Sequence, residues 1–104
     1  MHRRDLILRA LKPELDGLSY YYEDDALDAP VVAFFKNPDT HEAELIGYNS
    51  MAQLEEEYNR EFGSFAENGL LLTRLFIGGR EAKFSVRVKV EVIKVLNPEE
   101  YCHA

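Results

Sequence analysis

Residues 31–36 read Val31-Val32-Ala33-Phe34-Phe35-Lys36, and they decide the fold. Val31, Ala33 and Phe35 alternate with Val32 and Phe34, so an extended chain here is apolar on both faces. Such a strand belongs inside a sheet, covered on both sides. Asn37-Pro38-Asp39-Thr40 follows with turn chemistry: Asn and Asp side chains bond the nearby backbone, and proline presets its own φ. His41–Tyr48 (HEAELIGY) then reads as a partner strand, so 31–48 forms an antiparallel hairpin.

Working toward the C-terminus, LLLTRLFI (70–77), Gly78-Gly79 and REAKFSVRVKVEVIKV (80–95) predict a long hairpin. The glycine pair supplies the positive φ of a two-residue turn. Phe84, Val86, Val88, Val90 and Val92 alternate with Ser85, Arg87, Lys89 and Glu91, so one face is buried and one is wet. A two-residue loop pairs Ile77 with Arg80, Thr73 with Phe84 and Leu71 with Val86. That register puts Leu71, Thr73, Leu75 and Ile77 on the valine face. A one-residue slip would put Arg74 there, at the cost of a buried, unpaired charge. Ile93 and Val95 break the alternation.

Upstream of the central strand, SYYYE predicts a strand within 18–23, and DDALDAP an exit turn. Leu6, Ile7, Ala10 and Leu11 share one face of a helix over 3–12, which Pro13 ends, with 14–17 as an optional further turn closed by Gly17. Ser50 and Gln53 form a capping box for a second helix, with Met51, Leu54, Tyr58, Phe62 and, at the far end, Phe65 as its apolar stripe; Gly63 is its stop, with an extension toward Asn68 as the alternative. The element order is α-β-β-β-α-β-β. The expected fold is an α+β two-layer domain, a mostly antiparallel sheet of about five strands with two helices packed on one face.

The 104 residues, 46% hydrophobic, hold one core. Residues 1–104 therefore read as one domain, with 97–104 as a polar tail. Net charge is −7, from 19 acids against 12 Lys plus Arg, which disfavours direct binding to nucleic-acid phosphates. No run approaches the ~20 apolar residues of a membrane helix, and no targeting signal is visible. Cys102 is the sole cysteine, which fits a reducing compartment, and the cytoplasm is the expected location.

Catalytic patterns are missing from the sequence. His2, His41 and His103 lack metal-site spacing, and the Gly78-Gly79 pair joins two strands rather than opening a phosphate-binding helix. Glu42 and Glu44 read as solvated strand acids. Ser50 caps a helix, and Cys102 has no neighbouring base in sequence except His103. No cofactor, no metal and no enzymatic activity are expected. What remains is surface. Aromatics are enriched at binding hot spots, and acids speed encounter with a basic partner. Tyr20, Tyr22, Glu23, Asp24, Asp25 and Asp28, with Glu55 and Glu56 on the second helix, are the candidate contacts. The expected partner is a protein with a basic surface, which an inhibitor or immunity-type protein would block. The alternative is a small assembly subunit of a phage or secretion particle that self-associates through the long C-terminal hairpin.

Overall fold

The computed structural model describes residues 2–86 and 93–96. Helix α1 spans Arg3–Leu15, β1 Ser19–Tyr22, β2 Val31–Asn37, β3 Glu42–Tyr48, helix α2 Met51–Glu67 and β4 Leu71–Ile77. Three short strands follow: β5 Arg80–Ala82, β6 Phe84–Val86 and β7 Ile93–Val95. A 3-10 turn, Ala26–Asp28, lies between β1 and β2. The fold is α+β, with two helices and a five-stranded, mostly antiparallel sheet ordered β1-β3-β2-β4-β5. One pair departs from that rule, because β1 runs parallel to β3. β6 and β7 form a separate antiparallel ribbon.

β2 is the central strand, and both its faces are closed. Val32 and Phe34 join Ala43, Leu45 and Phe76 of the sheet and Ile7, Leu11 and Leu15 of α1. Val31, Ala33 and Phe35 join Leu54 and Tyr58 of α2, with Leu72, Leu75 and Ile93. The Phe35 and Tyr58 rings stack with centroids 6.2 Å apart. The expected placement of both helices over one face is thereby corrected, since each helix takes its own. The reason lies in β2 itself, because a strand apolar on both sides needs two covers.

Both helices run to the further of their expected ends. α1 continues past Pro13 to Leu15, which is buried with the α1-side core. Pro13 has no N–H for the carbonyl four residues back, and Arg74 Nη1 donates to the adjacent Ala10 carbonyl at 3.1 Å. At the start of α2, Ser50 Oγ accepts the Gln53 N–H at 3.1 Å, the expected cap. Gln53 Oε1 in turn accepts the Asn49 N–H at 2.6 Å. The helix then runs through Gly63 to Glu67. An interior glycine costs only about 1 kcal/mol, whereas Gly69, at φ 71°, supplies the left-handed geometry that ends a helix.

The two-residue turn at Gly78 and Gly79 is present, at φ 62° and 85°, with Ile77 opposite Arg80. Leu75 and Ile77 lie on the α2 side, together with Phe84. Leu71 and Thr73 do not. Phe34 pairs with Arg74 but Phe35 with Leu72, so Thr73 is an extra residue, a β-bulge. The bulge turns Leu72 inward and leaves Leu71 exposed. The expected pairs Thr73–Phe84 and Leu71–Val86 are absent, because β4 and β5 part after Leu75–Ala82. Beyond Lys83 the chain leaves the sheet, and Phe84, Ile93 and Val95 pack on the α2-side core. The single long final strand is therefore corrected too, since apolar side chains that one helix stripe leaves uncovered draw the ribbon over them. Residues 87–92 and 97–104, with Val88, Val90, Val92 and Cys102, lie outside the described residues.

Asn37 is the buried polar side chain of the described core. Its Oδ1 accepts the N–H groups of Asp39 at 2.9 Å and Thr40 at 3.2 Å, and its Nδ2 donates to the Asn68 carbonyl at 2.9 Å. The turn chemistry read in 37–40 thus also fastens the end of α2.

Candidate functional site

β1 sorts its tyrosines by parity. Tyr20 and Tyr22 lie opposite Ala43 and Leu45, and Tyr21 opposite Glu44. Ala43 and Leu45 belong to the α1-side core, and Tyr22 packs half-buried against it. Tyr20 stacks on Tyr22, with centroids 6.2 Å apart and planes 7° from parallel, and stays exposed beside Leu8 and Lys12 of α1. Tyr21, 57% exposed, points the other way. Its hydroxyl donates to Glu23 Oε1 at 3.0 Å. That hydrogen bond, then the Glu23 charge, raises the Tyr21 pKa above its ordinary value.

An open cleft of about 610 Å³ lies on the Tyr21 side. Tyr21, Glu23, Asp25 and Glu44 bring acid to its wall, and Ala29, Pro30 and Gly47 form part of its floor. Among the described residues, none of Glu23, Asp25 and Glu44 is in an ion pair. The other two acids of the stretch are tied to α1. Arg4 Nη2 donates to the Asp24 carbonyl at 2.8 Å and Arg4 Nε lies 3.8 Å from Asp28 Oδ1. Arg3 Nη2 donates to the Asp28 carbonyl at 2.9 Å. These arginines position the turn and leave Glu23 and Asp25 outward.

The candidate contacts therefore divide. Glu23, Asp25 and Asp28 reach the cleft, while Asp24 is exposed on its outer rim. Tyr20 and Tyr22 face the α1 side. Glu55 is half-buried on α2, and Glu56 pairs with Arg60 at 3.2 Å on the same helix. Glu57 is the α2 acid whose charge is felt at Tyr48 of β3. Burial pushes the Tyr48 phenol far above its ordinary pKa, and Glu57 and then Glu44 add to the shift, so both carboxylates lie near that ring. Tyr21, Glu44 and Glu57 are absent from the expected contacts, with Glu44 read from the sequence as a solvated strand acid. Parity alone separates Tyr21 from its neighbours, but which parity meets the acids depends on the parallel pairing with β3.

Gly47 sets the depth of the cleft. A Cβ there would stand 2.6 Å from the Ala26 carbonyl oxygen and 2.8 Å from Ala29 Cβ. The turn that carries Asp25 and Asp28 rests on that bare backbone. Gly47→Ala is expected to cost about 2 kcal/mol by overpacking, read by urea denaturation. An unchanged midpoint would mean that the turn yields freely.

The site can hold cations and hydrogen-bond donors. Among the described residues, no three His, Cys, Asp or Glu gather as metal ligands. No protein-family model matches the chain, and searches of curated proteins and of solved structures find no similar protein.

Proposed function

We propose that this protein is a small acidic, non-enzymatic binding module that covers a basic surface on another protein, as an inhibitor or immunity-type protein does. The observation that carries this is the cleft beside β1, where Tyr21, Glu23, Asp25 and Glu44 meet with no ion-pair partner among the described residues. Carboxylates left uncompensated on an open surface attract a cationic partner and hasten its docking. An exposed aromatic beside them provides contact area at small entropic cost. A nucleic-acid-acting protein is one fitting target, because carboxylates can occupy the place of phosphates on its basic surface. We place the protein in the cytoplasm, on its lone cysteine; no described helix is long and apolar enough to cross a membrane.

Affinity capture from the source cell, washed at low and then high salt, tests this. The partner is expected to be basic and to elute as salt screens the acids. The triple variant Glu23→Gln, Asp25→Asn, Glu44→Gln is expected to bind about tenfold more weakly, the sum of three exposed charge contacts. Retention at high salt, or unchanged affinity in the variant, would remove the acidic cleft as the main contact.

A further inference from the structure

We propose that the open edge of β1 takes up an extended, lysine- or arginine-bearing segment of the partner as an added strand. This rests on the acidic-binder reading above and specifies how the contact is made.

β1 is an outermost strand, and no strand pairs on its far side among the described residues. The Ser19 N–H donates to the His41 carbonyl at 2.9 Å, and Ser19 lies opposite Glu42. In a parallel pair only alternate residues direct their backbone groups to a given neighbour. Ser19 and Tyr21 therefore face β3, and the N–H and C=O groups of Tyr20 and Tyr22 face outward. Unpaired edge groups are a template for another strand.

Charge selects the occupant. A second copy would bring another Glu23, Asp24 and Asp25 against the first, and the chain as a whole carries −7. An extended segment with a cation at every second position avoids that clash. Its cations would face the side of Tyr21, Glu23 and Glu44. The residues between them would face the stacked rings of Tyr20 and Tyr22, which suit an apolar side chain. The opposite edge strand, β5, offers no such field, because its acid, Glu81, is held by Arg74.

The probe is a capped peptide of alternating lysine and valine, titrated at low salt while amide exchange is followed by NMR. In the free protein the Tyr20 and Tyr22 amides are expected to exchange quickly and the Tyr21 amide slowly. Saturating peptide is expected to slow Tyr20 and Tyr22 by about tenfold or more. Two further peptides carry methyl groups on the backbone nitrogens of either the lysines or the valines. Only one set of nitrogens can face β1, so one peptide should lose binding and the other keep it. Tyr20→Pro removes an outward N–H without touching the ladder to β3, and should weaken binding about tenfold; Tyr20→Ala is expected to weaken it less.

Salt-sensitive binding with both tyrosine amides unprotected, or with both methylated peptides equal, would overturn strand addition and leave the acidic-binder reading standing. A peptide that binds no better than an uncharged serine–valine control would overturn both. Protection of Tyr20 and Tyr22 without peptide, in a dimer seen by sedimentation, would make a second copy the occupant and overturn the proposal.

Discussion

Phe34→Ala is expected to remove about 4 kcal/mol of folding stability. The ring is fully buried in the core shared by α1 and the sheet, and β2 is fixed between two neighbours, so the site cannot collapse around the lost volume. A domain of this size is stable by roughly 5–15 kcal/mol, so the urea midpoint should fall by a large fraction at unchanged slope. Phe35→Ala should cost a similar amount on the other side, with loss of the Tyr58 stack. The two variants differ in what they loosen. Amide exchange should speed first in α1 for Phe34→Ala, and first in α2 for Phe35→Ala. If both loosened the same helix, the two-sided core would be wrong.

Arg74→Met is the second large effect, expected at about 3 kcal/mol, toward the low end for breaking a buried ion pair because Glu81 is partly exposed. Arg74 grips Glu81 with two nitrogens, Nε to Oε2 at 2.7 Å and Nη2 to Oε1. It also donates to Ala10 O, lies 3.6 Å from Glu14 and stacks over Phe76 at 5.7 Å. Methionine keeps much of the packing and removes every polar contact. Glu14 Oε2, already buried without a hydrogen-bond partner, would lose the cation that its carboxylate pairs with. The pH dependence has a definite sign. The Arg74 hydrogen bond holds the Glu81 carboxyl below its ordinary pKa, with partial burial opposing and the Arg74 charge assisting. A carboxyl depressed by folding stabilises above its unfolded pKa and loses that stabilisation as pH falls through the folded value. Wild type should therefore shed this increment below about pH 4, while Arg74→Met has none to shed. The gap between them should narrow in acid; a gap that widened there would reverse the sign.

Much of this fold is legible because few residues carry more than one meaning. VVAFFK, short, β-branched and aromatic, and followed by a turn, reads as a central strand. Ser50 with Gln53 marks the start of α2, and Gly78-Gly79 fixes the turn and the first pairs of its hairpin. The rest failed where tertiary packing overrode a local signal. Pro13 and Gly63 are weak stops beside the burial of Leu15 at one helix end and a better stop, Gly69, at the other. The Thr73 bulge leaves no trace in an alternating pattern, yet it exchanges Leu71 for Leu72 in the core. The candidate site was legible as a composition of tyrosine and acid. Its geometry was not, because it arises where β1 meets β3, and nothing in either strand states that they are neighbours or that they run parallel.

That parallel pairing also orders events in time. β2 and β3 are joined by a tight turn and can zip from it, residue by residue, and β4 can add to β2. β1 is expected to follow the β2–β3 hairpin, because β2 lies between β1 and β3 in sequence and the hairpin brings β3 back toward β1. Closing that longer loop costs entropy before any contact repays it. The strand nearest the acidic cleft is thus held by one neighbour only, and a partner lying along it would add a second set of contacts to a strand that is otherwise free to peel away.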